Sequence, residues 1–549
     1  MSAVTTTSSP AVGGAQRTVR RLIVYGLLFA LVTIGAIGLS GLLARLLEAG
    51  TQLAIDDVTG LAQALAFTLI GGPLAALLWW AVWRRLDDEA ERTSLAWGLY
   101  LAAMYTVSLI TFTSSLVATA GALVDGDWQP RSFTTGVVWA GVWAWHSWMC
   151  RHAAKRPARL TSLPAVIGSA YGLVIGIAGS VGALGSLLDT AIRGFSDQAI
   201  GDPWWLSVVR SLLWAIAGAV VWWWHWIHDE ARALRTGLAN VALVLLGVLG
   251  AGILMLGGIG TIVFVLLRLA FDRTDPVTDI VDPLGEAIAA AAIGSLVWLY
   301  HRRMALARSQ DTRQGSTLVT SGIGLVAAAT GIGVIVNSLL ATLGTPLAGA
   351  DTRTLLLGGV SALIVGGPVW WLVWKPRARV EPAEMASTGR RVYLIAVFGL
   401  SAIVALIALL VVGYRTFEFL LDTGTGGSLV DRIRAPLGLL VATALVSGYH
   451  FSVWRRDRSA TADMAPAQRR AISRVILVTG DVPEPQTRAI EDATGAAVTV
   501  WMRAAVAGEV TTPGPDAEQL ARALDGVTGR RVLVVTGPGS QVQVVPLAD

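Results

Sequence analysis

The chain carries one cysteine, Cys150, in 549 residues, so it can form no intramolecular disulfide. Charge is scarce: 14% of residues are charged against 54% apolar, and the mean hydropathy is +0.62. That balance excludes an ordinary soluble globule. Lysine is nearly absent, with arginine at 40 of the 42 basic positions, a bias from which nothing functional follows. No Ser-His-Asp, Walker or metalloprotease pattern occurs, and no Asp or Glu falls mid-way along an apolar run to relay protons or hold sodium. No catalytic activity, cofactor or nucleic-acid partner is expected.

What the chain has is apolar length. A helix needs about 20 apolar residues to cross ~30 Å of hydrocarbon. Twelve such runs are present, at 20–47, 61–84, 95–122, 133–152, 163–189, 204–228, 238–270, 283–303, 316–343, 354–374, 390–421 and 434–455. Residues 1–16 read as a disordered leader. The run Leu22–Leu47 after Arg17, Arg20 and Arg21 is too long for the apolar part of a signal peptide, so it reads as the first membrane helix.

Every even-numbered run ends alike. An aromatic is followed three residues later by Trp or His, and basic residues come next: Trp80/Trp83, Trp145/Trp148, Trp223/Trp226, Trp298/His301, Trp371/Trp374 and Phe451/Trp454. These ends and the N-terminal flank hold 24 Lys/Arg, the opposite loops and helix ends only 10, with 17 Asp/Glu. The positive-inside rule therefore places both termini and all six aromatic endings on the cytoplasmic side of a cytoplasmic (inner) membrane.

The endings also repeat at a longer period. Trp148, His301 and Trp454 are 153 residues apart both times, and Trp83, Trp226 and Trp374 are 143 and 148 apart. Leu-Leu steps recur at Leu46-Leu47, Leu187-Leu188 and Leu339-Leu340. A fixed period marks a duplicated unit. The expected fold is an all-α polytopic membrane protein of about 12 transmembrane helices in three parallel four-helix repeats, at 17–160, 161–313 and 314–460. A linker at 461–469 leads to a cytosolic α+β domain at 470–549, with strands Arg474–Thr479, Ala497–Met502, Arg531–Thr536 and Val542–Pro546. Helices are expected over Pro485–Thr494 and from Asp516-Ala-Glu-Gln519, a capping-box pair, to Gly526.

Four-helix units whose second and fourth helices end in Trp-x-x-Trp/His before Arg resemble a bacterial family of multi-pass membrane domains known as a domain of unknown function. The resemblance covers 17–460. It implies the fold and brings no catalytic or binding residue.

The candidate ligand site is the set of rings at these ends: Trp80, Trp83, Trp145, His146, Trp148, Trp223, His225, Trp226, Trp298, His301, Trp371, Trp374, His450 and Trp454. All six histidines, His152 and His228 included, lie there. Imidazoles at one depth would suit haem or a metal. The plainer reading is an interfacial belt in which His and Trp are interchangeable, as His301 in the slot of Trp83 and Trp374 suggests. Arg210, Arg268, Glu286 and Glu418 lie close enough to helix ends to snorkel. Gly71-Gly72-Pro73 and Gly366-Gly367-Pro368 read as kinks or close-packing points. In the tail, Val478-Thr-Gly480-Asp481 only weakly resembles a phosphate-binding turn, and Thr536-Gly-Pro-Gly539 reads as a turn. The leading expectation is a non-catalytic scaffold, accessory subunit or sensor, its partners being membrane lipids and a cytosolic protein at the tail. A transporter or channel for a lipid or small apolar solute, and a haem-binding redox subunit, are the alternatives.

Overall fold

The computed structural model describes residues 10–49, 58–194, 203–272, 275–343, 352–378, 387–421, 428–462, 472–480, 483–503, 514–527, 529–537 and 541–547. Twelve long helices coincide with the twelve apolar runs: α1 Pro10–Glu48, α2 Val58–Arg85, α3 Leu95–Val124, α4 Pro130–Arg151, α5 Leu163–Arg193, α6 Trp204–His228, α7 Gly237–Phe271, α8 Leu284–Leu306, α9 Gln310–Ala341, α10 Thr352–Ala378, α11 Thr388–Leu421 and α12 Leu429–Ala462. Hydrocarbon offers the backbone no hydrogen bonds, so an apolar run of this length satisfies itself as helix. Among the described residues ten helices are long and apolar enough to cross a membrane, two fewer than expected. The other two are α4 and α12, which mix their apolar residues with polar ones: α4 carries four Trp with several Ser and Thr, and α12 begins and ends in charge. Helix α1 starts at Pro10, inside the stretch expected to be a disordered leader, and α12 runs to Ala462, into the expected linker, whose remaining residues lie outside the described ones.

The chain forms two compact units, Met1–Arg308 with Thr312–Lys375 and Ile407–Ala442, and Ser309–Asp311 with Pro376–Leu406 and Thr443–Asp549. In the first, hairpins close through glycine. A Cβ on Gly172 of α5 would fall 2.3 Å from the Trp222 nitrogen of α6, and one on Gly218 would fall 2.2 Å from the Gly176 nitrogen. In α9 and α10, Gly324, Gly331 and Gly366 meet in the same way, and in α1 and α2, Gly35 faces Gly72. With no hydrophobic drive between helices in lipid, close backbone approach is what holds such pairs. Of the two Gly-Gly-Pro steps, Gly366 is therefore a packing point. Gly71 and Gly72 are also packed, against Ile34 and Gly35 of α1, and Gly71 ends a π-helical segment, Phe67–Gly71, within α2. Two more π-helical segments occur, Trp224–His228 closing α6 and Leu243–Gly250 inside α7.

Three of the four charged groups expected to snorkel are paired, and the fourth, Glu286, is exposed. Arg268 is buried and bonds Asp275, with Asp272 3.9 Å away. Asp272, itself buried, also accepts from the Thr354 hydroxyl at 2.9 Å. Arg210 bonds Asp125 at 2.6 Å, and Glu418 accepts from Arg415 at 3.0 Å. An uncompensated charge at the edge of hydrocarbon is costly, so a carboxylate close by in space competes with extension into water.

In the second unit, Arg390 of α11 donates to Asp457 of α12 at 2.6 Å, with both side chains buried. The same unit contains a four-stranded sheet in the order β2-β1-β3-β4, formed by β1 Arg474–Thr479, β2 Ala497–Met502, β3 Arg531–Thr536 and β4 Val542–Leu547. Helices α13 Pro483–Thr494 and α14 Ala517–Leu524 connect β1 to β2 and β2 to β3, and the Asp516–Gln519 capping box starts α14. The alternation of β1 and β3 buries Val475, Leu477, Val532 and Val534 against Ile490 and Leu520. Strand β1 is parallel to both β2 and β3, and β3–β4 is antiparallel, so the strand–helix order expected for the tail gives a mixed sheet with two helical crossovers.

Candidate functional site

The site is built from the ends of the even-numbered helices. In all six, an aromatic ring is met by a basic residue four positions on, one helical turn along the same face. Arg84 lies 3.8 Å over the Trp80 ring, Arg302 5.0 Å over Trp298, Lys375 4.9 Å over Trp371 and Arg458 5.5 Å over Trp454. In the other two the base is imidazole: His152 meets Trp148 edge-on at 4.8 Å, and His228 stacks on Trp224 at 4.4 Å. A cation over an indole face is attracted by the ring quadrupole.

The structure brings part of the expected set together. In the first repeat Trp83 stacks on Trp148 at 6.1 Å, Trp145 lies 5.0 Å from Trp148, and Trp79 joins Trp145 to His146, 5.7 Å from each. Lys155 caps this cluster, 5.1 Å over Trp83, and bonds the Trp83 carbonyl and Asp87. In the second repeat Trp226, buried, donates to the Tyr300 hydroxyl at 2.8 Å and lies 5.6 Å from His301. Trp371 is half exposed and neighbours Trp370 at 6.4 Å, whereas Trp374 is buried. Phe451 and Trp454 pack on Phe398 at 5.7 and 5.5 Å. Trp80, Trp145, Trp148 and Trp223 are exposed along the helix flanks.

His146, His225, His301 and His450 are buried, and each has Nδ1 2.7–2.9 Å from the carbonyl of a valine four residues earlier. A carbonyl only accepts, so Nδ1 carries the proton and Nε2 is left as an acceptor. The Tyr100 hydroxyl fills that place for His146 at 3.1 Å, and Tyr105 fills it for His225 at 2.7 Å. Both ring nitrogens of these two residues are engaged within the protein. Glycine makes room for the rings: a Cβ at Gly168 would fall 2.3 Å from His225, and one at Gly247 2.5 Å from His301. Among the described residues no three His, Cys, Asp or Glu stand close enough to hold a metal ion. Outside the apolar helices, Arg308 bonds Asn240 and the Arg232 carbonyl, and burial, with Arg235 adding, holds its guanidinium down to about 10.

Beside the first-repeat cluster lies a groove of about 800 Å³ between α1, α2 and α4. Gly35, Ala36 and Leu39 line it from α1, Thr68, Gly72 and Ala76 from α2, and Val138, Gly141 and Val142 from α4. Trp79, Trp80, Trp83, Trp145 and His146 close one end, and exposed Leu39 and Val137 flank its open side. The π-helical segment of α2 forms part of its wall, a distortion frequent at functional sites. Its lining is mostly apolar, with the Thr68 hydroxyl and the Trp79 N–H as polar groups left without a partner. Tyr100, Tyr105, Trp79 and the groove were beyond sequence reasoning, because their partners sit on other helices. The ring-and-base spacing of four was in the sequence throughout, masked by the more conspicuous spacing of three.

No curated protein matches the chain, and no solved structure does. The family model described as Domain of unknown function (DUF5671) matches three successive segments, residues 21–145, 163–290 and 317–446. These segments make up more than half of the chain, and each contains one of the glycine-closed hairpins, α1/α2, α5/α6 or α9/α10. The chain is thus a threefold repeat belonging to the DUF5671 family.

Proposed function

We propose that the protein is a non-catalytic membrane scaffold, accessory subunit or sensor of a bacterial inner membrane, whose C-terminal domain meets a cytosolic protein. In this reading all twelve long helices span, the three repeats are parallel, and both termini are cytoplasmic. One observation carries it: buried members of the ring and histidine set, His146, His225 and Trp226, are engaged in joining helices to one another. Tyr105 to His225 and Trp226 to Tyr300 are such joints. The separately cored sheet of the tail supplies a surface for a partner. The test is affinity purification of the full chain from its native membrane beside a chain ending at Ala462. A stoichiometric companion lost on truncation supports the reading, and a full chain that purifies alone overturns it.

A second reading, a seat or path for a lipid or small apolar solute, is favoured by the groove of the first repeat. Solute flux in liposomes that falls when the groove is filled would support it. A haem role has less support, since His146 and His225 have no free nitrogen for an axial bond. A Soret band on the purified protein would restore that role.

A further inference from the structure

We propose that the first repeat holds one anionic phospholipid, an acyl chain lying in the α1/α2/α4 groove and the phosphate resting on Arg84 and Arg85. The proposal shares its groove with the second reading above but requires no movement of the lipid. The groove volume of about 800 Å³ falls in the ~300–1,000 Å³ range of ligand sites. From Thr68 to Trp83 its wall along α2 is ~22 Å long at 1.5 Å per residue, more than the ~15 Å half-thickness of the hydrocarbon. An acyl chain therefore fits lengthwise. The lining is mostly apolar, its polar groups being neutral ones such as the Thr68 hydroxyl and the Trp79 N–H, and both nitrogens of His146 are engaged, so the charged end of a ligand is better placed outside the groove.

That outside position is charged. Trp80, which closes the groove, is covered by Arg84, and Arg85 follows in the last turn of α2. Both arginines are exposed, and among the described residues neither has an acidic partner. Of the other charges nearby, Arg21 pairs with Glu91, Lys155 with Asp87, and Asp88 caps the Ala90 amide, while the Glu89 carboxylate is exposed in the turn that follows. A guanidinium stacked flat on an indole keeps its N–H edge free, and that edge matches a phosphate. Arg84 over Trp80, with the exposed Arg85 beside it in sequence, favours an anionic lipid over a zwitterionic one.

The test uses the full chain, purified gently and exchanged into nanodiscs of equal parts phosphatidylglycerol and phosphatidylcholine, with retained lipid counted by native mass spectrometry. One phosphatidylglycerol per chain is expected. Gly141→Leu should remove it, because a Cβ at Gly141 meets nothing within 4 Å and the longer side chain would enter the groove. Leucine is also the better helix former, so the fold is not threatened. Gly121→Leu, at an open position outside the groove, is the control. Arg84→Gln and Arg85→Gln should each lower phosphatidylglycerol retention about fivefold. Equal retention of the two lipids by the natural chain, or lipid unchanged by Gly141→Leu, overturns the proposal. Retained lipid without liposome flux would sink the transport reading and leave this one standing.

Discussion

The Tyr105 hydroxyl lies 2.7 Å from Nε2 of His225, tying α3 of the first repeat to α6 of the second. Because Nδ1 of His225 faces the Val221 carbonyl, the tyrosine is the donor and the histidine the acceptor. Tyr105→Phe deletes one donor and leaves a buried nitrogen unfilled. The expected loss is about 0.6–2 kcal/mol, the range of interhelical hydrogen bonds in membranes, read as a lower midpoint of unfolding in mixed micelles. An unchanged midpoint would show that the bond contributes nothing.

A larger effect is expected where backbones touch. Gly218→Leu must displace the Gly176 backbone, which a Cβ would approach to 2.2 Å. Forced separation of a tight pair costs about 1–3 kcal/mol or more, so the variant should show a lower melting temperature and reduced yield in the membrane. Gly121→Leu should match the natural chain in the same assay, since nothing opposes its side chain. Loss of both variants alike would point to a general intolerance of bulk in these helices.

Arg390 and Asp457 form a buried ion pair between α11 and α12, at 2.6 Å. Asp457→Ala leaves the guanidinium buried without its carboxylate, for which about 3–5 kcal/mol is the usual cost. Arg390→Met with Asp457→Leu should recover most of that loss, because apolar side chains need no compensation there. Thermal unfolding of the two variants beside the natural chain checks this. A double variant no better than Asp457→Ala means that other groups satisfy the arginine.

Orientation has a direct readout. Fusions of a fluorescent reporter that matures only in the cytoplasm should light at Arg159, Arg235 and Ser459, and stay dark at Asp127, Asp279 and Asp422. Alkaline phosphatase at the same points should give the inverse pattern. If Ser459 reports the outside, the twelve-span count fails, and α4 and α12, the two helices outside the apolar ten, are the first to doubt.

The aromatic endings were half legible in the sequence. The spacing of three between Trp80 and Trp83, or Trp371 and Trp374, identified the right helix ends but not the contacts, since the ring meets its cation at the spacing of four, in Trp80–Arg84 and Trp371–Lys375. Both spacings lie within one helix, so the second was readable too. His146 and His225 were identified as a shared depth, yet their partners Tyr100 and Tyr105 are 46 and 120 residues away. No periodicity along the chain connects such residues. Arg268 failed in the opposite direction, because snorkelling was inferred from its distance to the helix end while Asp275 stood within reach.

The sequence by itself determined the helices, their repeat and the strands of the tail. Each follows from composition and period along a continuous stretch, since hydrocarbon forces an apolar run into helix and alternation pairs a strand with its core. Tertiary structure alone decided the groove, the histidine partners, the ion pairs and the order of the sheet. These depend on which helix faces which and how closely glycine lets them approach. The three repeats share a pattern, but the groove of about 800 Å³ lies in the first. There small residues on α1, α2 and α4, Gly35, Gly72 and Gly141 among them, line the open space.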